Sequence, residues 1–260
     1  MNRLRAVGRM MRGLLHIGAG FWLVFVRFPR LQTTHREAAV QAWAQRMLAV
    51  CGIGLTIRGE PPVQGPVLLV ANHISWLDIL VMHAARHCRF VSKSDIRHWP
   101  LIGTLATAAG TLYIERASRR DAMRVVHHMA DALRGEEVVA VFPEGTTGDG
   151  IALLPFHANL VQAAISADAP VVPVGLRFID DLSGETSLAP CYVGADTLLQ
   201  SFWRTLCAPG ITAVVSFGPP QRAEGRDRRT WAHDLHATID VLRVHGPQPR
   251  HPEAKKDSRL

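Results

Sequence analysis

Paired cysteines, lysines, metal-binding histidine spacings and long apolar runs are scarce or missing in this 260-residue chain, and each shortage removes a class of function. The four cysteines, Cys51, Cys88, Cys191 and Cys207, form no CxxC pair, which argues against a zinc knuckle or a disulfide framework and for reduced thiols in a cytosol-facing protein. Thirteen histidines include no HExxH spacing, and the neighbours His127 and His128 would point in different directions on a helix, so no metal is assigned. No GxSxG elbow is present to supply a serine nucleophile. Acids are absent from the first thirty residues, which hold Arg3, Arg5, Arg9, Arg12, Arg27 and Arg30 of a chain with formal net charge +7. These arginines surround the apolar run Gly13 to Val26 rather than alternating with exposed aromatics, so an anionic lipid surface fits better than nucleic acid. As a helix that run would reach roughly 21 Å, short of the ~30 Å core of a bilayer. It ends in Arg27-Phe28-Pro29-Arg30 with no small-residue cleavage site. The expectation is an uncleaved anchor lying in one leaflet with its arginines snorkelling to head groups.

Beyond this basic end the chain divides into strands and helices. A second amphipathic helix is expected from Thr34 to about Gly52, so residues 1–52 read as a membrane-anchoring helical pair. Residues 53–220 read as an α/β domain with strands at residues 55–59, 67–70, 90–92, 111–114, 138–142, 171–174 and 213–217. Helices are expected at residues 78–85, 102–109, 119–133 and 159–166. Strands that alternate with helices imply a mostly parallel or mixed central sheet flanked by helices, with active groups on the loops after the strands. Residues 221–260 form a charged extension, with a helix at 230–242 and a disordered tail.

Three stretches carry candidate chemistry. In Val70-Ala71-Asn72-His73-Ile74-Ser75-Trp76-Leu77-Asp78 a buried strand meets a helix, placing an imidazole near a carboxylate. Acyl transfer to an alcohol needs a base with a near-neutral pKa, and a carboxylate on the other ring nitrogen fixes the tautomer. Residues five apart on one helix diverge, so His73 must sit in the loop before it. The competing reading is that Ser75-x-x-Asp78 is only a capping box. In Gly110 to Arg116 a strand ends in an arginine whose fork suits phosphate, and Lys93 follows another strand toward the same rim. In Val141 to Gly150 a strand runs into a glycine-rich turn where Gly145 allows close backbone approach, and Glu144 is placed to orient an acceptor hydroxyl. Pro173, in Val171 to Leu176, is expected at an irregular or edge position. Oxyanion donors are sought among the amides of the His73 and Gly145 turns.

The order of these clusters, with Lys93-Ser94-Asp95 and Trp99-Pro100-Leu101-Ile102-Gly103 between the first two, resembles the glycerolipid acyltransferase family, which includes the 1-acylglycerol-3-phosphate acyltransferases. The resemblance implies His73 as general base, Asp78 as its orienting partner, Arg116 in the phosphate site, and Asn72, Lys93, Glu144, Gly145, Thr146 and Thr147 around the acceptor. It also implies an acyl-acyl carrier protein or acyl-coenzyme A thioester as co-substrate, a lysophospholipid acceptor, no further cofactor, and a place on the cytoplasmic face of the inner membrane. Two positions depart from the pattern. Family members acting on lysophosphatidic acid commonly have arginine where Thr147 stands, and the Glu-Gly-Thr-Thr form is similar to that of relatives acting on lyso-ornithine lipid. At Phe156-His157-Ala158-Asn159 a basic residue and a glycine are more usual. The alternative from another class is a catalytically silent membrane-binding module.

Overall fold

The computed structural model describes residues 2–114 and 119–247, so Arg116 and the tail beyond residue 247 lie outside the described residues. Among the described residues seven strands, β1 (Ile53–Arg58), β2 (Val67–Ala71), β3 (Arg89–Lys93), β4 (Leu112–Ile114), β5 (Val138–Val141), β6 (Val171–Asp180) and β7 (Ile211–Phe217), form one sheet in the order β1-β7-β6-β2-β5-β3-β4. Every neighbouring pair is parallel except β6 and β7, which makes the sheet mixed. The central strands β2 and β5 read VLLVA and VVAV and are buried throughout, because helices cover both faces and no polar side chain is tolerated on either.

Eight helices among the described residues surround the sheet: α1 (Asn2–Trp22), α2 (Thr33–Cys51), α3 (Leu77–Ala85), α4 (Ile102–Ala108), α5 (Arg119–Arg134), α6 (Gln162–Ala167), α7 (Leu198–Cys207) and α8 (Arg228–His245). One core layer joins α2 and α3 to the sheet through Met47, Leu48, Leu77 and Met82; the other joins α5 and α8 through Met129, Leu133, Trp231 and Leu235. Gly52, at φ 73°, ends α2 with its amide on the carbonyls of Leu48 and Ala49 and turns the chain directly into β1.

Three observations change the sequence expectations. The helix beginning at α1 continues through a π turn and a 3-10 turn, so that Arg3–Arg30 is 28 residues long and apolar enough by length and composition to cross a membrane. The apolar run alone understated its length. Pro173 lies in β6, between β7 and β2, and pairs with Val70. It is tolerated in this interior strand because the ladder to β7 starts only at Val174, and the Pro173 carbonyl accepts from Gly218 just past the end of β7. Finally, α7 was not expected, although Thr197 and Gln200 form a capping box at its start and that pattern is readable in the sequence.

Candidate active site

Strand β2 delivers the chain to Asn72 and His73 at its C-terminal end, and α3 begins four residues after His73. The His73 Nδ1 lies 2.7 Å from Asp78 Oδ2, and the same oxygen accepts from the amides of Ile74 at 2.6 Å and Ser75 at 2.8 Å. Asp78 is fully buried, whereas the His73 side chain keeps 19% of its surface exposed. One carboxylate oxygen thus answers two turn amides and the imidazole together, whereas the capping box is not completed, because the Ser75 hydroxyl turns to the Pro190 carbonyl and the Asp78 amide bonds the Ser75 carbonyl. A carboxylate at Nδ1 makes that nitrogen the N–H donor and leaves the lone pair on Nε2. The imidazole also stacks on Phe142, with ring centroids 4.1 Å apart and the planes nearly parallel, and Phe142 stacks on Phe90. Its ring plane is thereby fixed by packing as well as by the hydrogen bond.

The glycine-rich turn after β5 closes on the same point. Glu144 Oε1 accepts the His73 amide at 2.7 Å, its Oε2 accepts the Leu154 amide at 2.8 Å, and the Gly148 amide donates to the His73 carbonyl at 2.8 Å. Glu144 is 5% exposed, and burial pushes its carboxyl above the usual carboxylate range. The expectation that Glu144 faces an acceptor hydroxyl is thus corrected: both its oxygens clamp the backbone of the histidine loop to the glycine turn. Asn72 is corrected likewise. It is buried, with Nδ2 donating to the Leu176 carbonyl at 3.1 Å and Oδ1 accepting the Leu176 amide at 2.7 Å, so it bridges the end of β2 to β6. The amides of His73, Ile74 and Ser75 are taken up by carboxylates, and that of Gly145 by the Phe142 carbonyl, which removes these four from the expected oxyanion donors.

An acyltransferase family model matches residues 54–177, a span that contains both turns. A 1-acyl-sn-glycerol-3-phosphate acyltransferase of Neisseria gonorrhoeae is 39% identical over 212 residues, covering 80% of this chain and 81% of that protein. The chain belongs to the acyltransferase family. A lyso-ornithine lipid O-acyltransferase of Pseudomonas aeruginosa is 34% identical over 245 residues, 92% of this acyltransferase and 93% of its own length. The fold matches the crystal structure of the 1-acyl-sn-glycerophosphate (LPA) acyltransferase PlsC from Thermotoga maritima with a TM-score of 0.66 at 17% identity, covering 95% of this chain and all of that one.

Other groups around the dyad of this acyltransferase were not nominated by its sequence. The segment Ala189 to Tyr192 straps the two turns together: the Ser75 hydroxyl donates to the Pro190 carbonyl, the Tyr192 amide to Ile74, and the Thr147 hydroxyl to the Tyr192 carbonyl. Ser201 and Arg204 of α7 hold the far side of this strap by donating to the carbonyls of Ala189, Pro190 and Cys191. Arg243 of α8 donates to the carbonyls of Gly150 and Ile151, each at 3.0 Å, and steadies the outer part of the glycine turn. These contacts use backbone carbonyls, for which the sequence carries no side-chain pattern. Of the remaining nominated residues, Gly145 adopts φ 71°, Thr146 and Lys93 are exposed, and Arg116 lies outside the described residues.

The first helix presents two unlike faces. Ala6, Arg9, Gly13 and Gly20 face the protein, with Gly20 set against the Trp43 indole. Leu4, Val7, Met11, Leu14, Trp22 and Phe25 recur at helical spacing on the opposite side and are exposed. Arg9 is buried and donates to the carbonyls of Leu206 at 2.9 Å and Ala208 at 2.7 Å, binding α1 to the C-terminus of α7.

Proposed function

We propose that this acyltransferase moves a fatty acyl chain from an acyl thioester, carried by acyl carrier protein or coenzyme A, to the free hydroxyl of 1-acyl-sn-glycerol-3-phosphate, giving phosphatidic acid. The observation that carries the reading is the dyad: an accessible imidazole with Nδ1 held by a buried carboxylate and Nε2 left with its lone pair. His73 Nε2 takes the proton of the acceptor hydroxyl as its oxygen attacks the thioester carbonyl; the carbon–sulfur bond then breaks, and the imidazolium returns the proton to the departing thiolate. No acyl-enzyme is needed. Asp78 stabilises the transient imidazolium, and Glu144 keeps the histidine loop in register with the glycine turn. Arg116 and Lys93 are assigned to the acceptor's phosphate.

A second acceptor, lyso-ornithine lipid, is favoured by Thr147. Its hydroxyl is engaged with the Tyr192 carbonyl, so this position offers no cation to a phosphate. The relative in Pseudomonas aeruginosa that matches nearly the whole chain bears that lipid's name. The outward apolar face of α1 and its arginines support attachment in the plane of the membrane, on the cytoplasmic side, where thioester donors are made.

The test is a panel of lysolipids offered to the full chain with a labelled acyl thioester, each product identified by mass spectrometry. Labelled phosphatidic acid as the main product supports the first acceptor, and acylated ornithine lipid the second. Free fatty acid released at the same rate with and without acceptor would make the protein a thioesterase and refute both.

A further inference from the structure

The turn after β3 takes no part in the dyad, yet it holds large apolar side chains out into water. From Lys93 a 3-10 turn, Ser94–His98, leads to Trp99, Pro100, Leu101 and Ile102, which open α4. Trp99, Leu101 and Ile102 are 45%, 53% and 45% exposed. The backbone beneath them is firmly built. The Trp99 amide donates to Ile96 at 3.1 Å, the Gly103 amide to Trp99 at 2.9 Å and the Leu105 amide to Leu101 at 3.2 Å, while the Gly103 carbonyl takes the hydroxyls of Thr107 and Tyr113. Gly103 sits so close to the Arg97 carbonyl that a side chain would not fit. Leu101 adopts φ 64° and ψ −55°, a conformation strained for any residue but glycine, and keeps its side chain outward. A rigid turn that exposes three bulky apolar groups is an interaction surface rather than a slack loop.

Its position in the fold selects the partner. β2, β3 and β5 are parallel, so Ala71, Lys93 and Val141 end at the same side of the sheet, where the dyad sits. β1 runs with β7 and against β6, and therefore begins at that side; Arg9 of α1 lies over Gly52 immediately before β1. The strand order puts β1 and β7 on one flank of β2 and β3 and β4 on the other. The dyad is thus flanked by the head of α1 and by the Trp99 turn, whose exposed neighbours Lys93 and Arg97 outnumber the one acid, Asp95.

We propose that the Trp99 to Ile102 turn is a second lipid-inserting wedge, seated in the interface of an anionic bilayer across the dyad from α1, so that the mouth of the site meets the membrane on both flanks. Trp99 suits the head-group level, Leu101 and Ile102 the acyl region, and Arg97 the lipid phosphates. This inference rests on the membrane-surface reading of α1 and is measured without catalysis. The full chain, the triple variant W99S/L101S/I102S and the single variant Leu101→Gly, which relieves the strained φ and so keeps the fold, are sedimented with phosphatidylglycerol-containing vesicles. Vesicle partitioning falls about tenfold or more for the triple variant and several-fold for Leu101→Gly, while turnover of a short-chain, monomeric lysolipid is unchanged. Partitioning equal to that of the unmodified chain overturns the proposal. So does lost turnover on the short-chain acceptor with partitioning intact, which would place the turn in the substrate cleft. A loss confined to acyl carrier protein as donor would assign the turn to an acidic protein partner, and a change in oligomeric state would assign it to a second copy; either result also overturns the wedge. If the unmodified chain transfers no acyl group, the proposed function fails while the partitioning result still stands.

Discussion

Asp78 Oδ2 receives three donors at once, the His73 ring and the amides of Ile74 and Ser75, whereas Oδ1 is buried with no hydrogen-bond partner among the described residues. Replacing the carboxylate with an amide takes away the charge that stabilises the imidazolium and puts an NH2 group where a sole acceptor is needed. Asp78→Asn is therefore expected to lower kcat about 100-fold or more, with KM for the thioester nearly unchanged. Steady-state kinetics over a range of donor concentrations separates the two effects; a variant altered only in KM would contradict the orienting role. At this scale the dyad was legible, because His73 and Asp78 must fall on either side of a helix start for their five-residue spacing to bring them together. The roles of Glu144 and Asn72 were not legible. A carboxylate turned inward onto two amides and one turned outward onto a substrate have the same sequence, and only burial distinguishes them.

Among the elements, His83 in the last turn of α3 and His87 in the loop that follows it are both buried, with the rings 5.3 Å from each other. Burial lowers His83 to about 3, helped by the neighbouring His87, and burial lowers His87 to about 4. Both are neutral in the folded chain, while the unfolded chain takes up their protons near pH 6.5. Their contribution is therefore complete above about pH 6.5 and is lost as the pH falls toward 4 and then 3. Urea unfolding at a series of pH values should show stability falling below pH 6.5 by up to about 1.4 kcal/mol per pH unit for each group, and His83→Phe should remove one proton's worth of that slope. An unchanged slope would mean that His83 is charged in the folded state. α7 is held between the strap and α1, and its last carbonyls are capped by Arg9. Arg9→Met keeps the apolar stem and loses two charge-assisted bonds, so a loss of about 1.5–3 kcal/mol in urea unfolding is expected; a change under 0.5 kcal/mol would show that α1 is held by apolar packing alone. The strands and most helices are readable from hydrophobic period. α7 escapes that reading because the loop before it hides the change of period, and β6 reads too short because its later residues leave the buried pattern that marks its first half.

For the whole molecule, one sheet end gathers the dyad, the glycine turn, the strap and the head of α1, and the first thirty residues, with six arginines and no acid, hold most of the chain's net positive charge. Its fold class was legible because buried parallel strands need unbroken apolar runs and amphipathic helices between them. What sequence could not show was the closure around His73, which depends on backbone carbonyls far along the chain, such as that of Pro190, 115 positions from Ser75. All of this converges on one lone pair, His73 Nε2. The most direct measurement is transfer of a labelled acyl group to lysolipid by the full chain and by His73→Ala, with thermal unfolding and vesicle binding recorded on the same samples. A fall in transfer of about 10² to 10⁴-fold, with folding and binding retained, is the predicted result; turnover by His73→Ala within about twofold of the unmodified chain would contradict histidine-based acyl transfer at this site.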